Sequence, residues 1–184
     1  MPLRITVPGA EQYDPVRNLY YTTKETHLTL EHSLVSISKW ESKWKVPFTT
    51  VLTKGMTPAQ LEDYVRCMTL TQNVDPLVYS ALTKVNYDEI SQYMADPMSA
   101  TTINDKNLPK GPGKVITSEL VYYWMTALNI PFDPCQKWHY NRLMTLIRVA
   151  SIEQQPPKKM SKRDMMAQNK SLNAARRARL HSRG

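Results

Sequence analysis

Residues 116–150 read ITSELVYYWMTALNIPFDPCQKWHYNRLMTLIRVA and hold two of the chain's four tryptophans. Steps of four place Ile116, Leu120, Trp124 and Leu128 on one stripe of a helix. Past Pro131 a second helix is predicted. Asp133 is its N-cap, Pro134 stands where a missing N–H costs nothing, and Gln136 follows three residues after the cap, as in a capping box. Leu143, Ile147 and Ala150 give that helix its apolar face. Two such helices with a short connection are expected to pack antiparallel, with Trp124 and Trp138 burying large areas near the turn. This hairpin is the expected core of a mainly α protein.

The totals agree with a folded body. A chain of 184 residues with 41% hydrophobic and 22% charged residues is long enough for one domain with an appendage. Mean hydropathy is −0.48, no window holds eighteen consecutive apolar residues, and the N-terminus lacks the layout of a signal peptide, so a cytoplasmic product without a membrane partner is expected. Cys67 and Cys135 are too few for a disulfide framework and read as small buried hydrophobes. The net charge of +8 is confined to one end: residues 158–184 hold nine Lys/Arg against one acid, Asp164, and the rest of the chain balances at 15 of each sign.

Towards the N-terminus, Leu3-Arg4-Ile5-Thr6-Val7 alternates apolar and polar and runs into Pro8-Gly9, which predicts a short strand closed by a turn. Its expected partners are the segment from His27 to Leu30 and the β-prone run Phe48–Leu52. Between Glu31 and Trp44 the period changes: Leu30, Leu34, Ile37 and Trp44 share a helix face, with Trp40 beside it, and Pro47 closes the segment. Thr57-Pro58-Ala59-Gln60 is a strong helix start whose buried face would be Leu61, Tyr64, Val65 and Met68. Asp75-Pro76 opens a further short helix carrying Val78 and Leu82. Asn86, with Glu89 three residues on, is read as the cap of the next, with Ile90, Tyr93 and Met94 inward and Asp96-Pro97 as its stop.

Residues 99–114, with Pro109 and Gly111-Pro112-Gly113, read as an exposed loop. After the hairpin, Gln154-Gln155-Pro156-Pro157 is a helix stop and Ser161-Lys162-Arg163-Asp164 a capping-box-like restart. The expected architecture is therefore a compact helical domain over 1–155 with a small N-terminal β element, followed by a basic helical or disordered C-terminal extension over 156–184.

Catalytic and metal chemistry finds little support. Gly113-Lys114 is followed by Val115 and lacks the earlier glycine of a phosphate loop, and no GxSxG, HExxH or dinucleotide fingerprint occurs. Cys135 and His139 lie four apart, but no second pair completes a zinc spacing, so they read as a buried Cys beside a partly exposed His. The acid pairs Glu62-Asp63 and Asp88-Glu89 lie early in predicted helices, where the dipole favours them. The expectation is no enzyme, no cofactor and no metal.

The basic extension is the expected partner-binding element, through Lys158, Lys159, Lys162, Arg163, Lys170, Arg176, Arg177 and Arg179. It could neutralise phosphates, in which case binding weakens steeply with salt, or fold as a helix in a protein groove. A solvated charged terminus is the ordinary alternative. Met165, Met166, Leu172 and Leu180 among the charges tilt the reading towards a protein partner.

Three runs carry a resemblance: LEHSLVSISKWESKW (30–44), ITSELVYYWMTALNIPFDPCQKWHYNRLMTLI (116–147) and PPKKMSKRDMMAQNKSLNAARRARL (156–180). Together they resemble small virion and tail-morphogenesis proteins of tailed double-stranded DNA bacteriophages, and within that group tail assembly chaperones. The resemblance implies a small, mostly helical protein without catalytic residues that coats a tape-measure protein and recruits tail-tube subunits in the host cytoplasm. A structural component of the mature virion, and a small nucleic-acid-binding protein acting through the basic tail, are the alternatives.

Overall fold

The computed structural model describes residues 1–14, 18–102, 115–154 and 162–180. It is mainly α-helical with a β element at the N-terminus, and the chain divides into two compact units, Met1–Ala150 and Ser151–Gly184.

The strand predicted at Leu3–Val7 forms as β1 and pairs antiparallel with β4 (Thr26–Leu30), as expected. Between them the chain does not simply turn at Pro8-Gly9. It continues as β2 (Ala10–Asp14) and β3 (Leu19–Thr23), an antiparallel pair absent from the sequence reading. The two ladders keep one register across the break: Val7 faces Thr26, and Ala10 faces Thr23. The inward face changes, however. In the first ladder Ile5, Val7, Leu28 and Leu30 are buried. A strict alternation would carry Glu11 and Tyr13 inward, yet these are exposed, while Thr23 is buried and Tyr21 half-buried. Gly9 permits the change of direction, because a Cβ there would lie 2.9 Å from the Thr23 carbonyl oxygen. The Thr23 hydroxyl completes the corner, accepting from the Ala10 N–H at 3.1 Å and lying 3.2 Å from the Ala10 carbonyl, to which it donates.

Helix α1 (Leu34–Trp44) is capped by Ser33, whose hydroxyl accepts from the Ser36 N–H, and ends at Lys45 in the left-handed conformation. Trp40, off the predicted stripe, is its fully buried tryptophan, whereas Trp44 is only half-buried. The Trp40 indole donates to the Gln60 carbonyl at 3.0 Å. Residues Phe48–Lys54 are not a strand but helix α2. The reason is Glu41: its Oε1 accepts from the Phe48 N–H at 2.8 Å, so a buried carboxylate stands at the start of α2 and overrides the β propensity of Thr49, Thr50 and Val51.

Helix α3 (Pro58–Met68) starts with the predicted capping box of Thr57 and Gln60. Tyr64, Val65 and Met68 are buried, and Leu61 is half-buried. A 3-10 turn follows at Pro76–Ala81, capped by Asp75, and then α4 (Lys84–Ala95). Its cap is Thr83, and Asn86 is the third residue of a capping box rather than the cap itself. Asn86 is buried, its amide donating to the Thr6 carbonyl and so tying α4 to β1.

The stretch that began the sequence reading contains three helices: α5 (Ser118–Ala127), α6 (Phe132–Cys135) and α7 (Tyr140–Glu153). The predicted helix from Asp133 is interrupted. Asp133 has non-helical φ/ψ and pairs with Lys137 at 2.8 Å instead of capping. The carbonyl of Gln136 accepts from Val35 and the N–H of Tyr140 donates to His32. The bond those two groups would share inside a helix is thus replaced by contacts to the start of α1. On α5 the buried residues are Ser118, Val121 and Met125, a different stripe from Ile116, Leu120, Trp124 and Leu128, all of which are half-buried.

Two apolar clusters result. The larger joins the inner face of β1 and β4 to α1, the start of α2, α3 and α4, around Trp40, Phe48 and Tyr64. The expected hairpin core is the smaller one, in which Val121, Met125, Leu143 and Ile147 enclose Leu34 of α1. Trp124 and Trp138 lie at its edge, with Arg142 stacked over the Trp138 ring at 4.4 Å. Glu41 links the clusters: while Oε1 holds the start of α2, Oε2 accepts from the Ser118 N–H at 2.8 Å, the first residue of α5.

Helix α8 (Lys162–Leu180) belongs to the second unit.

Candidate functional site

Two places in the molecule concentrate chemistry. The first is α8. Of the residues predicted to bind a partner, Lys158 and Lys159 lie outside the described residues; Lys162, Arg163, Lys170, Arg176, Arg177 and Arg179 all fall within this 19-residue helix. Arg163, Lys170, Arg176 and Arg177 are exposed, as are Met165, Met166 and Leu172. Every side chain of α8 that the structure describes is exposed. The helix is strongly polar, with Ala167, Ala174 and Ala175 supplying local helix propensity where apolar packing is thin.

The second place is internal, and the sequence reading did not foresee it. His32, just before α1, and His139, just before α7, are 3% and 5% exposed and meet edge to face with ring centroids 5.2 Å apart. The paired backbone of Ser33 and His139 brings them together. His139 is therefore buried rather than partly exposed. Its Nδ1 accepts from the Asn141 N–H at 3.3 Å, so the proton sits on Nε2, which donates to the Tyr93 carbonyl at 3.0 Å. His32 Nδ1 and the Tyr64 hydroxyl share a 2.5 Å hydrogen bond. Tyr93 in turn donates its hydroxyl to Glu31 at 2.6 Å.

Burial, aided by the neighbouring His139, drives the His32 pKa down to about 3, and burial also lowers that of His139. Both rings are consequently neutral at pH 7. The same burial raises Tyr64 and Tyr93, with Glu31 adding to the effect on Tyr93, and pushes Tyr140 up to about 12. Burial of His139 outweighs the carboxylates of Glu31 and Asp96, which favour its protonated form. The sequence offered no signal for this cluster: His32 stands near one predicted helix start and His139 lies inside the helix predicted from Asp133. Nothing local connects them.

The metal pairing considered for Cys135 and His139 is not assembled. Cys135 packs in the smaller apolar cluster, and His139 is engaged with Tyr93 and Asn141. Among the described residues no group of three His, Cys, Asp or Glu side chains is arranged to hold a metal ion. His27 is exposed on the outer face of β4, bonded to Thr6 at 3.0 Å. Two surface depressions, one of about 560 Å³ beside Met1–Arg4, Tyr93 and Met98 and one of about 290 Å³ between Leu52, Met56, Leu61 and Met94, are lined by neither His32 nor His139. No described helix is long and apolar enough to cross a membrane.

Neither a protein-family model, nor a curated protein, nor a solved structure matches the chain.

Proposed function

We propose that this is a non-enzymatic bacteriophage assembly protein, acting as a tail assembly chaperone that engages a tape-measure protein and tail-tube subunits. The three sequence runs that resemble such proteins motivate the reading, and the observation that carries it is α8: a 19-residue helix whose described side chains are all exposed. A polar helix of this length is marginal alone in water, so a surface that orders it on contact is the natural use for it. The body, neutral in charge over residues 1–157 and packed around Trp40, Phe48 and Tyr64, serves as the scaffold.

Co-expression with the tape-measure protein of the same phage is the test. The full chain is expected to keep that protein soluble and to co-purify with it, and a chain ending at Gln155 is expected to stay folded but fail at both. Solubility and co-purification that do not depend on this chain would refute the chaperone role. A second reading, a component of the mature virion whose basic segment touches packaged DNA, is favoured by the cations of α8. It is tested by mass spectrometry of purified particles.

A further inference from the structure

We infer that α8 is a groove-docking helix for duplex DNA. The inference takes from the assembly reading only the premise that α8 is a contact element. It starts from how charge is arranged around the helix. At about 100° per residue, Arg163, Lys170 and Arg177, spaced by seven, fall nearly in line, and Arg176, Asn169 and Asn173 lie beside them, all within an arc of roughly 140°. Ala167, Ser171, Ala174 and Ala175 occupy the remaining side together with Asp164, Gln168 and one cation, Arg179, and Met165 and Leu172 lie at the border. A helix whose charges serve only solubility has no reason to gather four cations and two amides on one side.

The composition of that face selects the partner. A protein groove reads apolar anchors at spacings of three, four and seven. Met165 and Leu172 provide one such pair at the border of the cationic face, which leaves that face itself free for a second partner. Cations neutralise phosphates, and asparagine amides can pair with base edges or phosphate oxygens. The small side chains leave a slender helix, and a helix about 10–12 Å across fits the major groove of B-form DNA. Single strands are recognised largely by stacking on aromatic rings, and α8 has no aromatic residue. Duplex RNA presents a major groove too deep and narrow for side chains to read. Duplex DNA remains.

The purified full-length chain and a fluorescent 20-base-pair DNA of mixed sequence supply the test, by anisotropy from about 50 to 200 mM salt. Neutralising about four phosphates gives a slope of log K against log salt near −3.6 and about a hundredfold loss of affinity over that range. The variant R163Q/K170Q/R177Q is expected to bring the slope to about −0.9, whereas M165A/L172A is expected to leave it unchanged. Stronger binding to the duplex than to single-stranded DNA, duplex RNA or poly-glutamate supports the inference. Absence of binding at 50 mM salt, a slope indifferent to the triple substitution, or equal binding to poly-glutamate would overturn it. The last result would make α8 a ligand for acidic proteins. The tape-measure co-expression reads the assembly role separately, so failure of one proposal is distinguishable from failure of the other.

Discussion

Substituting His32 by Gln should flatten the acid limb of the protein's stability. In the folded chain His32 is held neutral, its pKa driven down to about 3, whereas in the unfolded chain it returns to the ordinary histidine value of 6.5. Below pH 6.5 the unfolded chain therefore binds a proton that the folded chain refuses. Stability is full above that pH and is lost as pH falls towards 3. At about 1.4 kcal/mol per pH unit, the 1.5 units between 6.5 and 5.0 remove about 2 kcal/mol through this residue. His139, also lowered, acts in the same direction. Gln can still hydrogen-bond the Tyr64 hydroxyl but does not titrate. Urea unfolding followed by tryptophan fluorescence at pH 7.5 and 5.0 should thus show a loss in the native chain that is about 2 kcal/mol larger than in H32Q. Trp40 belongs to the same apolar cluster as Tyr64, the hydrogen-bond partner of His32, so it reports on this region. Equal pH dependence in the two proteins would refute the assignment of a neutral, proton-excluding His32.

Two further substitutions probe the framework. E41Q must turn an amide NH2 towards one of the two N–H groups that Glu41 now serves, Phe48 or Ser118. The expected loss is about 2–4 kcal/mol by urea unfolding at pH 7, and a change below about 0.5 kcal/mol would show that the carboxylate is dispensable. G9A places a methyl group 2.9 Å from the Thr23 carbonyl oxygen, so the corner of the hairpin has to open. It should lower stability by about 1–3 kcal/mol and speed amide exchange at Ala10, and a neutral outcome by both measurements would mean that the corner is loosely set.

Local chemistry was legible where one short segment contains both partners of an interaction. The start of α3 is an example: Thr57, Pro58 and Gln60 supply its cap, first position and reciprocal bond within four residues. The pairing of Leu3–Val7 with the segment ending at Leu30 was likewise visible as apolar alternation on both strands. The misreadings share a cause, a distant group taking over a local one. Glu41 converts Phe48–Lys54 from apparent strand to helix, and His32 and Val35 take the bonds that would have continued a helix through Gln136 and Tyr140. The strands β2 and β3 lacked a clean alternation because their inward side is polar, held by Thr23 and by the Tyr21 hydroxyl bonded to Gln12 and 3.2 Å from Ser80. For the candidate sites the same division holds. The cations of α8 and their seven-residue spacing are written in the sequence, whereas the His32–His139 pair depends on a backbone bridge between segments more than a hundred residues apart.

The position of Glu41 bears on how the first unit comes apart. One carboxylate serves the starts of two helices, and these helices feed different apolar clusters. Tyr140 also packs against both clusters. Releasing α5 alone would break the Glu41 bond to Ser118 and disturb the group that holds the start of α2, so opening of one cluster is felt in the other. The two clusters are thereby coupled through one carboxylate and one shared tyrosine.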